Sequence, residues 1–232
     1  MPSKTFRHRI ERTRNKHSRA LYQGNTIIIR LAKNLSRTEE HEHIEDLLRR
    51  MREYLKEEAH RKAIDPFRPL LEGGRTLTVR LATGKSYHFV LFPAPRTRIQ
   101  RHWERFRVSI GPNLRRLSLH RLLWKALAHA EAPRITGLVA RLNHETFRAR
   151  IRPVNLRFAK SQWGSCSPRG VIMINTALLF VLPSILKYVI IHELAHTIRR
   201  DHSPTYWREV QSVMPRFQEA KNALEDYRLP IL

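Results

Sequence analysis

The most informative stretch of the sequence is residues 183–196, which read Pro-Ser-Ile-Leu-Lys-Tyr-Val-Ile-Ile-His-Glu-Leu-Ala-His. Pro183 suits the first turn of an α-helix, where the missing N–H would have no helical partner. The residues that follow are mostly apolar, as in a helix buried on all sides. His192 and His196 are four residues apart and therefore lie on one helical face. The stretch predicts a buried helix, extending to Arg200, that presents two imidazole rings to one metal ion.

The segment His192-Glu193-Leu194-Ala195-His196 matches the H-E-x-x-H pattern of zinc metallohydrolases. A chain of this composition contains such a match by chance only about 0.05 times. The two histidines supply two metal ligands, and the glutamate lies next to them on the helix. The motif therefore favours a zinc site.

A catalytic zinc ion needs a third protein ligand and an open position for water. His202 follows His196 by six residues and directly precedes Ser203-Pro204, where we expect the next helix to begin with the serine as its cap. The spacing is close to that of metzincins, but Arg199 replaces the glycine at which their chain turns back, so we do not assign the chain to that group. The alternative ligand is a glutamate from a downstream helix. We favour His202 over the glutamates available there, which are Glu209, Glu219 and Glu225.

Further motifs on both sides of this helix support a family resemblance. Lys160-Ser-Gln-Trp-Gly-Ser-Cys-Ser167 and Ile172-Met-Ile-Asn175 precede the helix, and His202-Ser-Pro-Thr-Tyr-Trp207 follows it. With the helix itself, they resemble the YgjP-like metallopeptidase family, which is related to the WLM and SprT-like zinc peptidases. The resemblance covers residues 155–210 specifically. In the N-terminal half it is looser and depends on Arg12-Thr-Arg-Asn-Lys-His-Ser-Arg19.

The resemblance implies a zinc-dependent peptidase in which His192, His196 and His202 are the metal ligands and Glu193 is the catalytic base. Zinc lowers the pKa of a water ligand from about 15.7 towards 7, and the base accepts that water's proton and passes it to the leaving group. We expect the substrate to be an extended polypeptide that lies along an edge strand near the helix.

Three side chains close to these motifs are assigned to packing. Cys166 could be a zinc ligand or a nucleophile, but three histidines already serve the metal, and a lone cysteine in such a loop is more often packed in a core. Tyr206 and Trp207 could border the substrate cleft, but on an amphipathic helix we expect them to belong to the core.

The composition is strongly basic. The 232 residues contain 44 Lys and Arg against 20 Asp and Glu, which gives a net charge of +24. The excess is uneven, because residues 38–60 carry eight acids against four bases and residues 171–232 are nearly neutral. A basic surface attracts nucleic acid or nucleotides. The related SprT-like and WLM peptidases act on proteins attached to DNA, so the resemblance and the charge together give localisation on nucleic acid as a secondary hypothesis. The alternative, a basic surface that is merely solvated, stays open, because no zinc finger, RNP-like signature or phosphate-binding loop is present.

Periodicity predicts the remaining elements. The expected strands cover residues 26–32, a hairpin over 77–91, one strand within 96–110, and strands over 151–160 and 170–175 separated by a loop at 163–170. One expected helix begins after the cap at Ser36. Two further expected helices cover residues 117–130 and 133–147.

This order of elements predicts an α+β fold, in which a small antiparallel or mixed sheet packs on helices. We expect a zincin-like catalytic core with a central H-E-x-x-H helix. The expected domains are a basic N-terminal part, residues 1–114, and the metallopeptidase core, residues 115–232, packed as one unit.

The sequence argues against a membrane or secreted protein. Its longest apolar stretches, such as residues 177–182, are far shorter than the roughly 20 residues that span a bilayer. The N-terminus lacks an apolar segment behind its positive residues, which argues against a secretory signal. The single cysteine suits a reducing compartment. We therefore expect a cytoplasmic protein without a membrane partner.

Two other functions are also compatible with the sequence. The same metal site could serve a metal-dependent nucleoside triphosphate pyrophosphohydrolase, which several arginines converging on the metal would favour. Arg199 and Arg200 are near in sequence, but helix periodicity places them on different faces. A zinc-stabilised nucleic-acid-binding module would leave Glu193 without a role.

Overall fold

The computed structural model describes residues 7–23 and 26–230. The chain divides into two compact units, Met1–Lys62 and Ala63–Leu232. This boundary differs from the one expected after Leu114. The reason is that the sheet formed by residues 76–110 shares its buried apolar face with the helices that follow, so those strands belong to the second unit.

The first unit is a small sheet with one long helix. Its strands are β1 (Arg7–Arg12), β2 (Arg19–Gln23) and β3 (Thr26–Leu31), and its helix is α1 (Arg37–His60). The sheet order is β1-β3-β2, with β1 parallel and β2 antiparallel to β3. Ser36 and Glu39 form a capping box at the start of α1, as expected from the sequence. The core consists of Ile27, Ile29, Leu31, Leu48 and Leu55.

After α1 the chain alternates between strands and helices. The strands are β4 (Lys62–Ala63), β5 (Thr76–Arg80), β6 (Ser86–Pro93), β7 (Arg98–His102), β8 (Arg105–Ile110), β9 (Val154–Arg157), β10 (Gly164–Cys166), β11 (Ile172–Asn175) and β12 (Tyr227–Arg228). The helices are α2 (Arg68–Leu71), α3 (Arg116–Glu145), α4 (Pro183–Ala195), α5 (Pro204–Val213) and α6 (Phe217–Glu225), with a 3-10 helix at Thr176–Phe180. The predicted α+β class, with small mixed sheets and helices, is confirmed.

The larger sheet has the order β5-β6-β8-β7. The predicted hairpin is β5 and β6. The single strand expected within residues 96–110 is wrong: β7 and β8 form a second hairpin, whose turn includes Trp103 at a φ of 55°. On the buried face the rings of Phe89 and Phe106 stack with centroids 4.5 Å apart, and Tyr87 is fully buried beside them.

Helix α3 is continuous over 30 residues, whereas the sequence predicted two helices separated at Pro133. The apolar stripe does not stop at the proline. Leu127 before it and Ile135 and Val139 after it are fully buried in the same core. This shared burial outweighs the one backbone hydrogen bond that a proline removes from a helix.

A buried carboxylate connects the sheet to α3. Glu131 is 1% exposed, and its Oε1 accepts a hydrogen bond of 2.6 Å from the Tyr87 hydroxyl. Arg134 donates to the other oxygen, and the Lys85 ammonium lies 3.4 Å from Oε1. Burial alone would raise the pKa of Glu131, but the hydrogen bonds from Tyr87 and Arg134 outweigh it and hold this pKa below its ordinary value of 4.5.

This ion-paired carboxylate makes the stability of the fold depend on pH. Because the pKa of Glu131 is lowered by folding, its contribution is fully present above pH 4.5 and is lost as the pH falls through the folded-state pKa. At pH 7 we expect Glu131→Gln to lower the free energy of unfolding by about 1–3 kcal/mol. Urea denaturation at pH 7 and pH 3.5 should show the difference shrinking at the lower pH.

The matched control is Glu145→Gln, an exposed glutamate at the end of the same helix. It should leave the free energy of unfolding unchanged. A Glu131→Gln effect of equal size at both pH values would contradict the role assigned to the ionised carboxylate.

The smaller sheet supports the helix that carries the H-E-x-x-H motif. Its order is β10-β11-β9, with β9 parallel and β10 antiparallel to β11. Strands β9 and β11 match the sequence prediction, but the expected loop at residues 163–170 contains the short strand β10. Through the parallel pair and the 3-10 helix, the chain reaches Pro183 and enters α4, whose residues from Tyr188 to Ile191 are buried.

Helix α4 ends at Ala195 instead of Arg200. The turn tightens because the hydroxyl and the N–H of Thr197 both donate to the Leu194 carbonyl, at 2.6 and 3.0 Å. The chain then leads to α5, which begins with Ser203 as its cap, as predicted. Helix α6 was not predicted. In the described ranges, no helix combines the length and the apolar character needed to cross a membrane.

Candidate metal centre

Three histidines converge at the end of α4. His192 lies in its last turn, His196 caps its C-terminus, and His202 lies in the segment before α5. Their candidate ligand atoms lie within 4.8 Å of one another. The Nε2 atom of His192 is 3.3 Å from the Nε2 atoms of both other rings. The structure thus brings together the three histidines named from the sequence. Among the described residues, the cluster does not include the alternative ligands Glu209, Glu219 and Glu225.

Hydrogen bonds fix the ring protons of two of these histidines. The Tyr206 hydroxyl lies 3.0 Å from the His192 carbonyl oxygen, to which it donates, and 2.7 Å from Nδ1 of His192. With its proton committed to the carbonyl, the hydroxyl oxygen accepts from Nδ1–H. Likewise, Nδ1 of His196 donates to the Arg199 carbonyl at 3.0 Å. Both rings therefore carry their proton on Nδ1, and Nε2 presents a lone pair.

With both ring protons assigned to Nδ1, the Nε2 lone pairs of His192 and His196 face each other across 3.3 Å. A cation at the centre of the three Nε2 atoms would satisfy them. Zinc bound tetrahedrally at 2.0–2.1 Å holds neighbouring nitrogen ligands about 3.3–3.4 Å apart, which matches the observed separation. Imidazole nitrogens are ligands that zinc and other divalent transition metals accept. The donor set therefore fits such an ion.

Burial keeps the ligands in the form that binds metal. Desolvation, together with the charges of His196 and His202, lowers the pKa of His192 to about 3. Desolvation also lowers the pKa of His196 below its ordinary value. Both rings are therefore neutral at pH 7, so metal binding does not require removal of a proton from them.

A row of aromatic rings positions the exposed third histidine. The His202 ring stacks on Trp207 with centroids 5.8 Å apart, and Trp207 stacks on Phe217 of α6 at 5.4 Å. Lys221 of α6 places its ammonium 4.8 Å from the centre of the Trp207 ring. Helix α6 therefore supports the site although it contributes no candidate ligand.

The sequence predicts Tyr206 as a core residue. The structure confirms the packing, since the residue is fully buried, and adds the hydrogen bonds to His192. The sequence signal was its place in the first turn of α5, directly after the third histidine. Periodicity alone could not show that its hydroxyl reaches the other helix.

Glu193 lies beside the histidines and is only 5% exposed. In the part of the chain that the structure describes, no hydrogen bond reaches its carboxylate. Burial therefore raises the pKa of Glu193 to about 8. A divalent cation held by the three histidines would favour the ionised carboxylate and lower this pKa.

The backbone of β10 packs directly against this carboxylate. A Cβ atom at Gly164 would lie 2.5 Å from Oε1 of Glu193 and 2.8 Å from its Cγ. Any side chain at position 164 would displace the glutamate. The Trp-Gly-Ser-Cys-Ser motif thus contains a position that must be glycine because of its neighbour in space.

Two anchors hold β10 in this place. Asn175 is fully buried, and its Nδ2 donates to the carbonyls of Ala159 and Gln162, both at 2.8 Å. After the strand, Arg200 donates to the Pro168 carbonyl at 2.7 Å. The loop is therefore fixed both to β11 and to the segment that follows α4.

Strand β10 lies at one edge of its sheet. Towards β11, the Trp163 carbonyl accepts from Asn175 and the Ser167 N–H donates to Val171. Because the ladder alternates, the backbone groups of Gly164 and Cys166 point away from β11, towards the open edge. Strand β10 therefore lies beside Glu193, and its outward backbone groups have no hydrogen-bond partner in the part of the chain that the structure describes.

Cys166 is partly buried and packs against the hydrophobic core, as expected. Burial, and then the nearby Glu193, raise the pKa of its thiol. The thiol is therefore neutral at pH 7, which is unfavourable for a nucleophile.

Three converging histidines next to a glutamate of a buried helix are the arrangement of a metal-dependent hydrolase. The chain belongs to the YgjP-like family: the model of the YgjP-like metallopeptidase domain matches residues 20–227. The predicted metallopeptidase family is confirmed, and membership implies a divalent metal ion.

One solved structure is similar to part of this chain. It is the crystal structure of the metallopeptidase zymogen of Pyrococcus abyssi abylysin, with 26% sequence identity and a TM-score of 0.37. The match covers 40% of this chain and 97% of that one. No curated protein matches.

The hydrogen bond from His192 to Tyr206 makes the tyrosine a determinant of metal affinity. Tyr206→Phe removes the acceptor that orients Nδ1–H, and losses of such supporting bonds weaken metal binding by about 10–100-fold. Competition with a chelator should show this weakening, while circular dichroism shows an intact fold.

The matched control is Tyr188→Phe. The ring of Tyr188 also lies against His192, at 5.9 Å, but its hydroxyl forms no hydrogen bond with it. This variant should bind metal like the wild type. Equal weakening in both variants would show that ring packing, and not the hydrogen bond, sets the affinity.

Proposed function

We propose that this metallopeptidase is a zinc enzyme in which His192, His196 and His202 hold the ion and Glu193 is the general base. The observation that carries the proposal is that the Nε2 atoms of His196 and His202 each lie 3.3 Å from Nε2 of His192. Hydrogen bonds at Nδ1 orient the rings of His192 and His196. Zinc is favoured because three imidazole ligands would leave a fourth tetrahedral position open for water or substrate.

The chemistry divides between the ion and the protein. When bound, zinc would polarise the carbonyl of the scissile bond and acidify a water molecule. Glu193 would accept a proton from the attacking water and deliver it to the leaving amide nitrogen. Its burial supports this role, because no competing donor among the described residues occupies the carboxylate. Tyr206 keeps His192 in the tautomer that binds metal.

The edge strand β10 supports a polypeptide substrate. An extended peptide can add to β10 as a further strand, bonding to the outward backbone groups of Gly164 and Cys166. Gly164 contacts Glu193, so a peptide bound along this edge passes close to the general base.

Nucleoside triphosphate hydrolysis has no comparable support. It would require several arginines at the metal, but Arg200 is bonded to the Pro168 carbonyl. In residues 7–23 and 26–230, no arginine side chain forms a hydrogen bond with a histidine of the triad. We therefore assign peptide hydrolysis to the site.

Replacing the general base separates catalysis from metal binding. We expect Glu193→Gln to retain one zinc per chain and to cleave unfolded casein about 10²–10⁴-fold more slowly, because general acid–base catalysis contributes that factor. His196→Ala should lose both zinc and activity. Metal content and the rate of casein cleavage are the two measurements, with nucleoside triphosphates assayed in parallel.

The control is Glu219→Gln, which changes an exposed glutamate of α6 and should retain full activity. Zinc-loaded Glu193→Gln with wild-type casein cleavage would refute the assigned base. Hydrolysis of nucleoside triphosphates without casein cleavage would refute the peptidase.

The contact between Gly164 and Glu193 predicts a second catalytic defect. Gly164→Ala forces the carboxylate to move, because the new Cβ would lie 2.5 Å from Oε1. Displacement of a catalytic group by about 1 Å costs about 100-fold in rate, so we expect that loss in kcat with unchanged zinc content. Gly137→Ala in α3, where a Cβ meets no atom within 4 Å, is the control. Wild-type kcat in Gly164→Ala would contradict this packing.

A further inference from the structure

The larger sheet has an exposed face that the metal centre does not use. On this outer face, alternate residues of the strands point to solvent, whereas their neighbours are buried. The outer face is defined here by His88, Phe92, Arg98, His102, Arg105 and Arg107. The register places Arg105 between His88 and His102, and Arg107 between Val90 and Gln100.

No acidic residue of the described ranges forms an ion pair with the arginines of the outer face. Strands β5 to β8 contain no Asp or Glu, and Glu104 lies in the turn outside them. Within the described residues, Arg98, Arg105 and Arg107 form no ion pair. Arg105 and Arg107 are two residues apart on one face, about 7 Å from each other. Their positive charges repel each other, and a bound polyanion would relieve this repulsion.

Aromatic rings accompany these charges. The Arg107 guanidinium lies 5.3 Å from the centre of the half-buried Phe92 ring. Trp103, in the turn between β7 and β8, is 76% exposed and lies edge-on to His102. Exposed aromatic rings next to guanidinium groups can stack on nucleic acid bases of any type, because every base has a flat π-face.

The outer face also has concave space. Two depressions of about 380 and 500 Å³ lie on it, and Gln100 and Arg107 line both. Arg98 belongs to one depression, and His102 and Arg105 belong to the other. The three arginines Arg98, Arg105 and Arg107 therefore line two adjoining depressions.

We propose that the outer face binds single-stranded nucleic acid, with arginines contacting phosphates and Trp103 and Phe92 stacking on bases. Four strands are about 14 Å wide. This exceeds the major groove of a duplex, about 12 Å, which admits a helix or a two-stranded ribbon. An acidic polypeptide would pair with the arginines but would leave the rings unused.

A second basic groove provides a contrast. It lies between α3 and β9 and includes Arg121, Lys125 and Arg157. Its aromatic residues are not available for bases, because Trp124 and Phe158 stack on each other at 4.7 Å and Trp124 is 1% exposed. This groove is the matched control, because it has basic side chains but no ring surface on which a base could stack.

The test uses a fluorescein-labelled oligothymidylate of 15 nucleotides and fluorescence anisotropy. The triple variant Arg98→Gln/Arg105→Gln/Arg107→Gln removes three outer-face charges. Each phosphate contact contributes about 0.7 to the slope of log K against log salt. We therefore expect the slope to fall by about 2 and the affinity in 0.1 M salt to fall by about 100-fold. The control Arg121→Gln/Lys125→Gln/Arg157→Gln, with the same net charge, should change affinity less than threefold.

Trp103→Ala tests stacking separately and does not depend on folding of the triple variant. It should weaken binding about tenfold with an unchanged salt slope, since stacking releases no counterion. Equal weakening by both triple variants would overturn the proposal in favour of non-specific attraction by net charge. A duplex of equal length bound as tightly as the single strand, or polyglutamate competing equally well per charge, would also overturn it.

Discussion

The hydrogen bond between the Tyr206 hydroxyl and Nδ1 of His192 is the interaction on which the metal centre depends. It joins α5 to α4 and places the proton of His192 on the nitrogen that faces away from the other rings. The Arg199 carbonyl does the same for His196, which requires α4 to end where it does. In a helix that continued to Arg200, the Arg199 carbonyl would point along the axis towards the C-terminus, whereas the His196 side chain would lean towards the N-terminus, so the two could not meet. The early end of α4 and the buried tyrosine thus create a set of converging lone pairs.

The sequence predicted the ligands better than the groups that orient them. His192 and His196 follow from helical spacing, and His202 follows from its place before a capped helix. The role of Tyr206 and the need for glycine at position 164 depend on contacts between elements distant in sequence, which no local pattern records. The same limit explains why the sequence predicts two helices, over residues 117–130 and 133–147, where the structure has the single helix α3. Burial of apolar residues on both sides of Pro133 continues the helix, and this burial depends on distant elements.

The charge of the chain and its catalytic residues occupy different elements. The three histidines and Glu193 lie on or just after α4, in the nearly neutral C-terminal part of the sequence. The arginines of the outer face lie on β7 and β8, whose pairing the sequence did not predict. Only that pairing shows that they share one surface with exposed rings. The net charge of +24 therefore leads to a specific hypothesis. The outer face of the larger sheet, separate from the hydrolytic site, would bind single-stranded nucleic acid.

The zinc K-edge X-ray absorption spectrum of the zinc-loaded protein tests the metal centre most directly. A site formed by His192, His196 and His202 with one open position predicts three nitrogen scatterers and one oxygen at about 2.0–2.1 Å, with no sulfur. Multiple scattering from imidazole rings should accompany them. A sulfur scatterer at about 2.3 Å, which Cys166 would supply, or a shell of oxygen atoms without imidazole would contradict the three-histidine site.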